Sequence, residues 1–332
     1  MNSMNYKAFV VHKSGDSYQH SIQSLSMDDL PDNDVIIQVR YSSLNYKDML
    51  SATGHQTVTK QYPFTPGVDA AGVVINSKDS RFTIGDKVIV TSYDLGMNTP
   101  GGFGQIISVP GDWIVPLPDN LSLIESMMIG TSGLTAAMGV KKIVDAGITP
   151  ERLPVVVSGG TGAVGTFSVA LLSHLGYRCD VITGKTDQHN FLKLIGSSSV
   201  IERDDFYSVG KKPLLPSKWI AGIDTVGGKM LDLIIRQIAH NGLITCCGNV
   251  LGDHLETSIY PFILRGISLM GIDSGIAHMK DRLQIWSLLA GDWKLSNMAD
   301  FCTTIKLKDL SSEIQKVKDG VRTGKTVIQL PD

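Results

Sequence analysis

Gly160, Gly162 and Gly165 have the G-x-G-x-x-G spacing that binds the pyrophosphate of a dinucleotide. Such a site needs a turn that leaves a strand tightly and a backbone that approaches the phosphates closely. It also needs a helix N-terminus, whose unpaired N–H groups and partial positive charge attract an anion. β-branched residues precede this turn and an apolar helical pattern follows it, so residues 153–176 are predicted to form strand, glycine turn and helix. The alternative is a glycine turn that packs a helix on a sheet without any ligand.

The same run, 153–176, contains no Lys, Arg, Asp or Glu and could be mistaken for a membrane span. Its Gly, Ser and Thr residues cluster at the turn, which a buried strand, turn and helix explain better. No other segment is expected to compete as a span. Residues 1–10 lack the apolar core of a secretory signal. We therefore expect neither a membrane partner nor secretion.

The end of the second predicted strand indicates which dinucleotide is bound. NAD sites of this type place Asp or Glu about 20 residues beyond the glycines, where the carboxylate binds the ribose 2′-hydroxyl. Here the strand ends in Thr183, followed by Gly184 and Lys185, and Asp180 has the opposite parity and points to the other face. A hydroxyl, a glycine and a cation suit the 2′-phosphate of NADP. NADP(H) is the predicted cofactor, unless Lys185 is an ordinary loop lysine.

Composition excludes several classes of function. The chain has 332 residues, a formal net charge of −2 and no basic run longer than two lysines, which argues against nucleic acid as a main partner. The four cysteines and eight histidines show neither zinc-ligand spacing nor a disulfide framework. We expect no metal, a reducing compartment and a cytoplasmic location.

The periodicity of apolar residues changes near Ser122. Residues 1–120 form short strands separated by turns, which predicts a β-rich domain. Beyond Ser122, helical segments alternate with apolar strands, which predicts parallel βαβ units in a doubly wound sheet. The final segment, 324–330, is too short for a domain and is expected to complete the first one. The fold class is therefore α/β, with one domain over 1–122 and 275–332 and a second over 123–274.

A series of short segments occurs in the same order in one known family. The segments are 43–48, 66–72, 81–86, 109–113, 130–136, 158–165, 201–204, 224–228, 260–266 and 271–274. Over nearly its whole length the chain resembles the zinc-independent quinone oxidoreductase branch of the medium-chain dehydrogenase/reductase superfamily. Within that branch it resembles the bacterial NADPH-dependent acryloyl-CoA reductase and quinone oxidoreductase subfamily.

This resemblance implies a GroES-like β-rich catalytic domain over 1–122 and 275–332, interrupted by a Rossmann NADP-binding domain over 123–274. Zinc members of the superfamily carry a catalytic Cys where this chain has residues 44–46, and Gly-His-Glu where it has 67–69. They also carry a four-cysteine lobe that nothing between 85 and 115 supplies. The catalytic zinc and the structural zinc are therefore both expected to be absent.

The resemblance also assigns cofactor contacts, residue by residue. The pyrophosphate is expected to meet the backbone of Thr161, Gly162, Ala163 and Val164. The 2′-phosphate is expected to meet Thr183, Gly184, Lys185 and Arg203. The nicotinamide and its ribose are expected to meet Tyr46, Asn249, Ile263 and Ser274. A further family contact near the C-terminus is not assigned, because residues 320–325 depart from the family pattern.

The implied reaction adds a hydride to the β-carbon of an α,β-unsaturated carbonyl and a proton to its α-carbon. Tyr46 is the predicted catalytic residue, because a phenol can donate that proton or hydrogen-bond the ribose. The alternative is that Tyr46 only packs beside the cofactor. Asn45 is expected to orient the carboxamide, and Thr131 either to contact the cofactor or to cap a helix. Asp48 and Asp69 are expected to fix local turns, with acid–base chemistry as the alternative.

Three functions remain open at this point. The first is reduction of an enoyl thioester such as acryloyl-CoA, and the second is NADPH:quinone oxidoreduction. The third is a non-catalytic, zeta-crystallin-like role in nucleotide or RNA binding, which the weak charge asymmetry disfavours. A homodimer is expected from the resemblance and from the apolar strand 268–272, which is predicted to lie at a sheet edge.

Overall fold

The computed structural model describes residues 5–331, which form fifteen strands and nine α-helices. The strands are β1 (Asn5–Ser14), β2 (Ser17–Ser26), β3 (Val35–Leu44), β4 (Asp69–Ser77), β5 (Lys87–Thr91), β6 (Ile106–Val109), β7 (Ile114–Pro116), β8 (Val155–Ser158), β9 (Cys179–Thr183), β10 (Ser199–Glu202), β11 (Trp219–Asp224), β12 (Ile238–Cys246), β13 (Ser268–Gly271), β14 (Cys302–Lys306) and β15 (Lys325–Gln329). The helices are α1 (Tyr46–Ala52), α2 (Leu123–Asp145), α3 (Ala163–His174), α4 (His189–Leu194), α5 (Arg203–Tyr207), α6 (Gly228–Ile235), α7 (Tyr260–Arg265), α8 (Met279–Ala290) and α9 (Leu310–Lys318).

The chain divides into two compact units. Unit 1 comprises residues 1–131, 275–291 and 302–332, and unit 2 comprises 132–274 and 292–301. This division differs from the sequence-based boundaries in two places. The chain enters unit 2 at residue 132 rather than 123, and the short segment 292–301 belongs to unit 2 rather than to the catalytic domain.

Unit 1 is built on a seven-stranded sheet in the order β14-β15-β3-β4-β5-β7, with β6 also paired to β3. β1 and β2 form a separate antiparallel pair. Strand β15, close to the C-terminus, pairs antiparallel with β3, with Thr326 opposite Leu44. Apolar side chains such as Phe9, Val39 and Ile328 fill the core of the unit. The last strand thus belongs to the same sheet as β3 and β4, which come from the first quarter of the chain.

Unit 2 is a six-stranded parallel sheet in the order β10-β9-β8-β11-β12-β13. Counted along the chain within the unit, this is the 3-2-1-4-5-6 order of a doubly wound nucleotide-binding fold. β8 is buried at every position, as expected for a central strand with helices on both faces. The order reverses between β8 and β11, so a ligand is expected at the carboxyl ends of these strands. The predicted α/β fold class is confirmed.

The expectation that only residues 153–176 could be mistaken for a membrane span is wrong. Those residues hold β8, a turn and the twelve-residue α3, whereas the helix that is long and apolar enough is α2, with 23 residues. Of its most apolar window, 67% is buried within the structure, as in the core helix of a globular protein. α2 also changes direction at Gly130, whose φ is 49°.

Candidate functional site

The glycine turn of unit 2 lies between β8 and α3, as predicted. Gly159 adopts a left-handed conformation with φ of 62°. A Cβ at Gly160 would come within 2.2 Å of the Val181 side chain, and one at Gly165 within 2.3 Å of the Gly159 carbonyl oxygen. These two glycines are therefore required for close packing of the turn against β9 and α3.

Gly162 has a different environment from the other motif glycines. It is exposed, and a Cβ there would meet only the Gly159 carbonyl oxygen, at an ordinary 3.4 Å. It is the N-cap residue of α3 and has no side chain to bond the first N–H groups of that helix. Ala163 and Val164, which follow, are half-buried, and Thr161 is buried. The open helix N-terminus beside a bare backbone fits an anionic group such as a pyrophosphate.

A buried polar network holds this turn in place. The Ser158 hydroxyl donates to Asp224 Oδ1 at 2.6 Å, and the Thr225 hydroxyl donates to the Ser158 carbonyl oxygen at 2.9 Å. Asp224 is fully buried, and burial raises the pKa of its carboxyl. The network ties the carboxyl ends of β8 and β11 together at the switch point of the sheet. The role of Asp224 was not predicted, because no local pattern marks its contact with Ser158.

The residues predicted to hold the 2′-phosphate converge at the carboxyl ends of β9 and β10. Glu202 is paired with Thr183 in the parallel register, so the residues that follow, Arg203 and Gly184, are neighbours. A Cβ at Gly184 would lie 2.8 Å from the Arg203 Cζ atom, and the N–H of Lys185 donates to the Thr183 hydroxyl at 3.1 Å. The structure therefore brings the Arg203 guanidinium, the Thr183 hydroxyl and the bare backbone of Gly184 to one edge, where Lys185 follows in the chain.

Asp180 is turned away from that edge. Its Oδ2 accepts from the buried Trp219 indole N–H at 2.8 Å, and its Oδ1 accepts from the Ser199 hydroxyl at 2.9 Å. The sequence analysis did not predict a carboxylate at this edge. Glu202, the last residue of β10, supplies one, and its Oε1 atom lies 3.8 Å from His189 Nε2. The predicted orientation of Asp180 agrees with these contacts.

The three remaining predicted contacts of unit 2 lie farther along the sheet. Asn249 is exposed in the loop after β12, where its carbonyl oxygen accepts from the N–H of Gly252 at 3.1 Å. Ser274 follows β13 and is buried, with its hydroxyl 2.5 Å from that of Thr135. Ile263 lies on α7 and is 64% exposed. Asn249 and Ser274 thus follow the carboxyl ends of their strands, whereas Ile263 lies on the helix between those strands.

In unit 1, Tyr46 is the first residue of α1 and its side chain is 45% exposed. Asn45 is the N-cap of this helix, and its N–H donates to Asp48 Oδ2 at 2.8 Å. Asp48 Oδ1 accepts from the N–H groups of Val68 at 2.8 Å and Gly67 at 3.2 Å. Asp48 therefore fixes two turns, and the phenol of Tyr46 is open to solvent.

Asp69 organises a buried hydrogen-bonded network beside this turn. Its Oδ2 accepts from Ser43 Oγ at 2.5 Å and from Asn45 Nδ2 at 2.7 Å. Its Oδ1 accepts from the Thr131 hydroxyl at 2.6 Å. Lys325 Nζ donates to Asn45 Oδ1 at 2.8 Å. Asn45 is thus held at both ends of its amide, and the hydroxyl and N–H of Thr131 both bind Asp69.

The charges of this network are fully buried. Burial, together with the nearby charge of Asp69, raises the pKa of Asp48 to about 7 from an ordinary 3.8. Burial likewise lowers the pKa of Lys325, which the neighbouring carboxylates oppose. Lys325 was not predicted as part of the site, because 280 positions separate it from Asn45.

Residues 5–331 contain no group of three or more His, Cys, Asp or Glu side chains that could hold a metal ion.

A unit with a mainly antiparallel sheet and a doubly wound nucleotide-binding unit in one chain define the class of medium-chain dehydrogenases/reductases. Residues 31–119 match the family of alcohol dehydrogenase GroES-like domains. The acrylyl-CoA reductase AcuI of Ruegeria pomeroyi is 35% identical over 98% of this chain and 99% of its own. YhfP of Bacillus subtilis, whose name assigns it provisionally to the quinone oxidoreductases, is 37% identical over 98% of this chain and 99% of its own.

Solved structures agree with these sequence relatives. The YhdH oxidoreductase of Salmonella enterica, in complex with NADP, is 37% identical, with a TM-score of 0.95 over 98% of this chain and 100% of that chain. B. subtilis YhfP, with NAD bound, is 37% identical, with a TM-score of 0.96 over 99% of this chain and 100% of that chain. The chain therefore belongs to the oxidoreductase family of AcuI and YhfP, within the zinc-independent quinone oxidoreductase branch of the superfamily, as the resemblance predicted.

Proposed function

We propose that this protein is an NADPH-dependent reductase of the activated C=C bond of an α,β-unsaturated carbonyl, with an enoyl thioester such as acryloyl-CoA as substrate. The observation that carries the proposal is the Arg203 guanidinium against the bare backbone of Gly184, which Lys185 follows in the chain, with Asp180 turned away. Full-length similarity to an acrylyl-CoA reductase supports the choice of substrate class.

The residues present fit the cofactor. Thr161, Gly162, Ala163 and Val164 would hold the pyrophosphate through the uncapped N-terminus of α3. Thr183, Gly184, Lys185 and Arg203 would hold the 2′-phosphate, and Asn249, Ile263 and Ser274 the nicotinamide and its ribose. When bound, NADPH supplies the hydride. One solved relative holds NADP and another NAD, so the choice of NADPH depends on the chemistry of this edge.

Tyr46 has the proton-donor role in this proposal. The residue is 45% exposed, so water can return a proton after the hydroxyl has given one to the substrate α-carbon. The Asn45 amide is already bonded to Asp69 and Lys325, which suits it to holding the backbone before Tyr46.

Replacement of Tyr46 by Phe tests the donor role. Turnover of acryloyl-CoA is expected to fall by about 10²-fold or more, a typical contribution of a positioned general acid. NADPH affinity is expected to stay nearly unchanged, because the aromatic ring is kept. Tyr18→Phe is a matched control, since the Tyr18 hydroxyl accepts a long hydrogen bond, 3.5 Å, from the exposed Gln56 amide. A Tyr46→Phe enzyme with full enoyl activity contradicts the donor role.

Quinone reduction is the second candidate, favoured by the similarity to YhfP. A hydroquinone oxyanion takes its proton from water, so Tyr46→Phe is expected to affect quinone reduction less than enoyl reduction. NADPH oxidation measured against acryloyl-CoA and simple quinones separates the two activities. A protein that binds NADPH but reduces neither acryloyl-CoA nor quinones would instead favour the non-catalytic, zeta-crystallin-like role.

We also propose that the protein is a homodimer and is located in the cytoplasm. β13 forms one edge of the parallel sheet, and its Ser268, Met270 and Gly271 are exposed. An exposed edge strand can pair with its equivalent across a two-fold axis. Met270→Lys is expected to shift the sedimentation coefficient to that of a monomer, and a wild-type monomer at micromolar concentration contradicts the proposal.

The four cysteines are free, as a reducing compartment leaves them, and cell fractionation tests the location.

A further inference from the structure

Unit 1 contains a buried ammonium group that the proposed reaction does not use. Lys325 is 2% exposed, and its Nζ donates to Asn45 Oδ1 at 2.8 Å and to the Leu44 carbonyl oxygen at 3.5 Å. The same atom lies 3.7 Å from Asp69 Oδ2. Burial of a charge is costly, so a buried lysine with polar partners at these distances requires a physical explanation.

The register of the sheet places this ammonium beside the turn that carries Tyr46. β15 runs antiparallel to β3, with Thr326 opposite Leu44. Extended by one position, that register sets Lys325 opposite Asn45, in agreement with the bond between their side chains, and Tyr46 is the residue that follows. Lys325 therefore reaches the N-terminus of α1 from the neighbouring strand.

Asn45 is held from three directions. Its side-chain oxygen accepts from Lys325, its amide nitrogen donates to Asp69 Oδ2 at 2.7 Å, and its backbone N–H donates to Asp48 Oδ2 at 2.8 Å. Only the first of these bonds ties α1 to the C-terminal strand. A hydrogen bond from a charged donor is stronger than a neutral one, so Lys325 restrains the Asn45 side chain more firmly than a neutral donor could.

We propose that Lys325 is a positioning residue, which fixes the backbone at Asn45 and thereby the placement of the Tyr46 phenol. The proposal rests on the proposed function, in which Tyr46 gives a proton to the substrate. The competing explanation is that Lys325 only compensates the buried charge of Asp69. Charge compensation predicts effects on stability alone, whereas positioning predicts effects on the order of residues 44–52 and on turnover.

Four variants separate these explanations. Lys325→Met removes the donor, Asp69→Asn removes the partner charge, and the double variant removes both charges together. Lys318→Met, an exposed lysine of α9, is the matched control. For each, we would measure the melting temperature, amide hydrogen exchange over residues 44–52, and kcat and KM with acryloyl-CoA and NADPH.

Lys325→Met is expected to lower kcat by about tenfold or more with little change in the KM for NADPH, and to speed exchange over 44–52. It is also expected to be destabilised, because Asp69 loses the cation that lies 3.7 Å from its Oδ2 atom. The double variant is expected to have a higher melting temperature than Lys325→Met. Compared with Asp69→Asn, it is expected to keep a lower kcat and faster exchange over 44–52.

A double variant with the kcat and exchange of Asp69→Asn overturns the positioning role in favour of charge compensation. Faster exchange with unchanged kcat also overturns the positioning role, because the restraint by Lys325 would then not matter for turnover. The donor role of Tyr46 is judged separately by Tyr46→Phe, so the two failures are distinguishable. Lys318→Met is expected to match the wild type in every measurement.

Discussion

The Arg203 guanidinium lies against the backbone of Gly184, so close that a Cβ at position 184 would fall 2.8 Å from its Cζ atom. The contact arises because β9 and β10 are parallel neighbours that end in register, at Thr183 and Glu202. A cation from one strand end is thereby held over the glycine of the next. The arrangement makes several aspects of cofactor binding testable.

Replacing Lys185 and Arg203 by Ala is expected to weaken NADPH binding by tens-fold or more and to leave NADH binding nearly unchanged. Each charge-assisted bond to a 2′-phosphate contributes on the order of 1.5–3 kcal/mol. Titration of both cofactors by fluorescence checks the prediction. Equal loss for NADPH and NADH contradicts the assignment of these residues.

Gly184→Ala is a subtler probe of the same edge. The new methyl group meets the end of a flexible side chain, so Arg203 is expected to move and the fold to stay intact. We expect NADPH affinity to fall less than in the double Ala variant, with an unchanged melting temperature. Lowered affinity for NADH as well would mean that the methyl group disturbs more than Arg203.

The motif glycines are expected to respond differently to Ala. Gly160→Ala forces a methyl group to within 2.2 Å of Val181, so it is expected to lower the melting temperature. Gly162→Ala meets no such obstacle and is expected to keep stability but to weaken binding of both cofactors, because the methyl group stands at the open end of α3. Thermal melts and cofactor titrations on the pair check this; a stable Gly162→Ala protein with normal affinity places the pyrophosphate elsewhere.

The buried carboxyl of Asp48 is expected to make stability depend on pH. Its pKa is about 7 in the folded protein against an ordinary 3.8, so between these values the folded state binds a proton that the unfolded state has lost. The free energy of unfolding therefore falls as pH rises from about 4 to about 7, by at most about 1.4 kcal/mol per pH unit from this group.

Urea denaturation at several pH values measures this slope. Asp48→Asn is expected to be less stable overall, because a side-chain amide cannot accept at both positions, but to show a flatter profile. Burial also raises the pKa of Asp224, so this group makes stability fall with rising pH in both proteins. Its contribution therefore cancels when the two profiles are compared. Parallel profiles would show that Asp48 does not titrate in this range.

Metal chelation is expected to leave activity unchanged. The prediction follows from the family resemblance, in which residues 44–46 and 67–69 replace the ligand motifs of zinc relatives. Activity after dialysis against a chelator, with elemental analysis of the active protein, checks it. Stoichiometric zinc in active enzyme contradicts it.

Local sequence patterns were sufficient for the fold class and for the glycine turn. Strand, turn and helix over 153–176 depend on neighbouring residues, whose spacing and β-branching act over a few positions. The parity of β9 was likewise enough to predict that Asp180 points away from Thr183, because successive side chains alternate between the faces of a strand. The membrane-span prediction missed α2 because the residues Gly-Thr-Ser-Gly at 130–133 interrupt its apolar pattern, and only the structure shows how long the helix is.

The contacts that complete the site were decided by tertiary structure alone. Arg203 meets Gly184 because β9 pairs with β10. Ser158 meets Asp224 because β8 pairs with β11. Lys325 meets Asn45 because β15 pairs with β3. Sequence spacing carries no record of strand order, since that order is set by which apolar faces can be buried together across the whole chain. Neighbouring residues therefore set the local shape of the cofactor turn, whereas the pairing of strands sets which distant residues lie beside Gly184, Ser158 and Asn45.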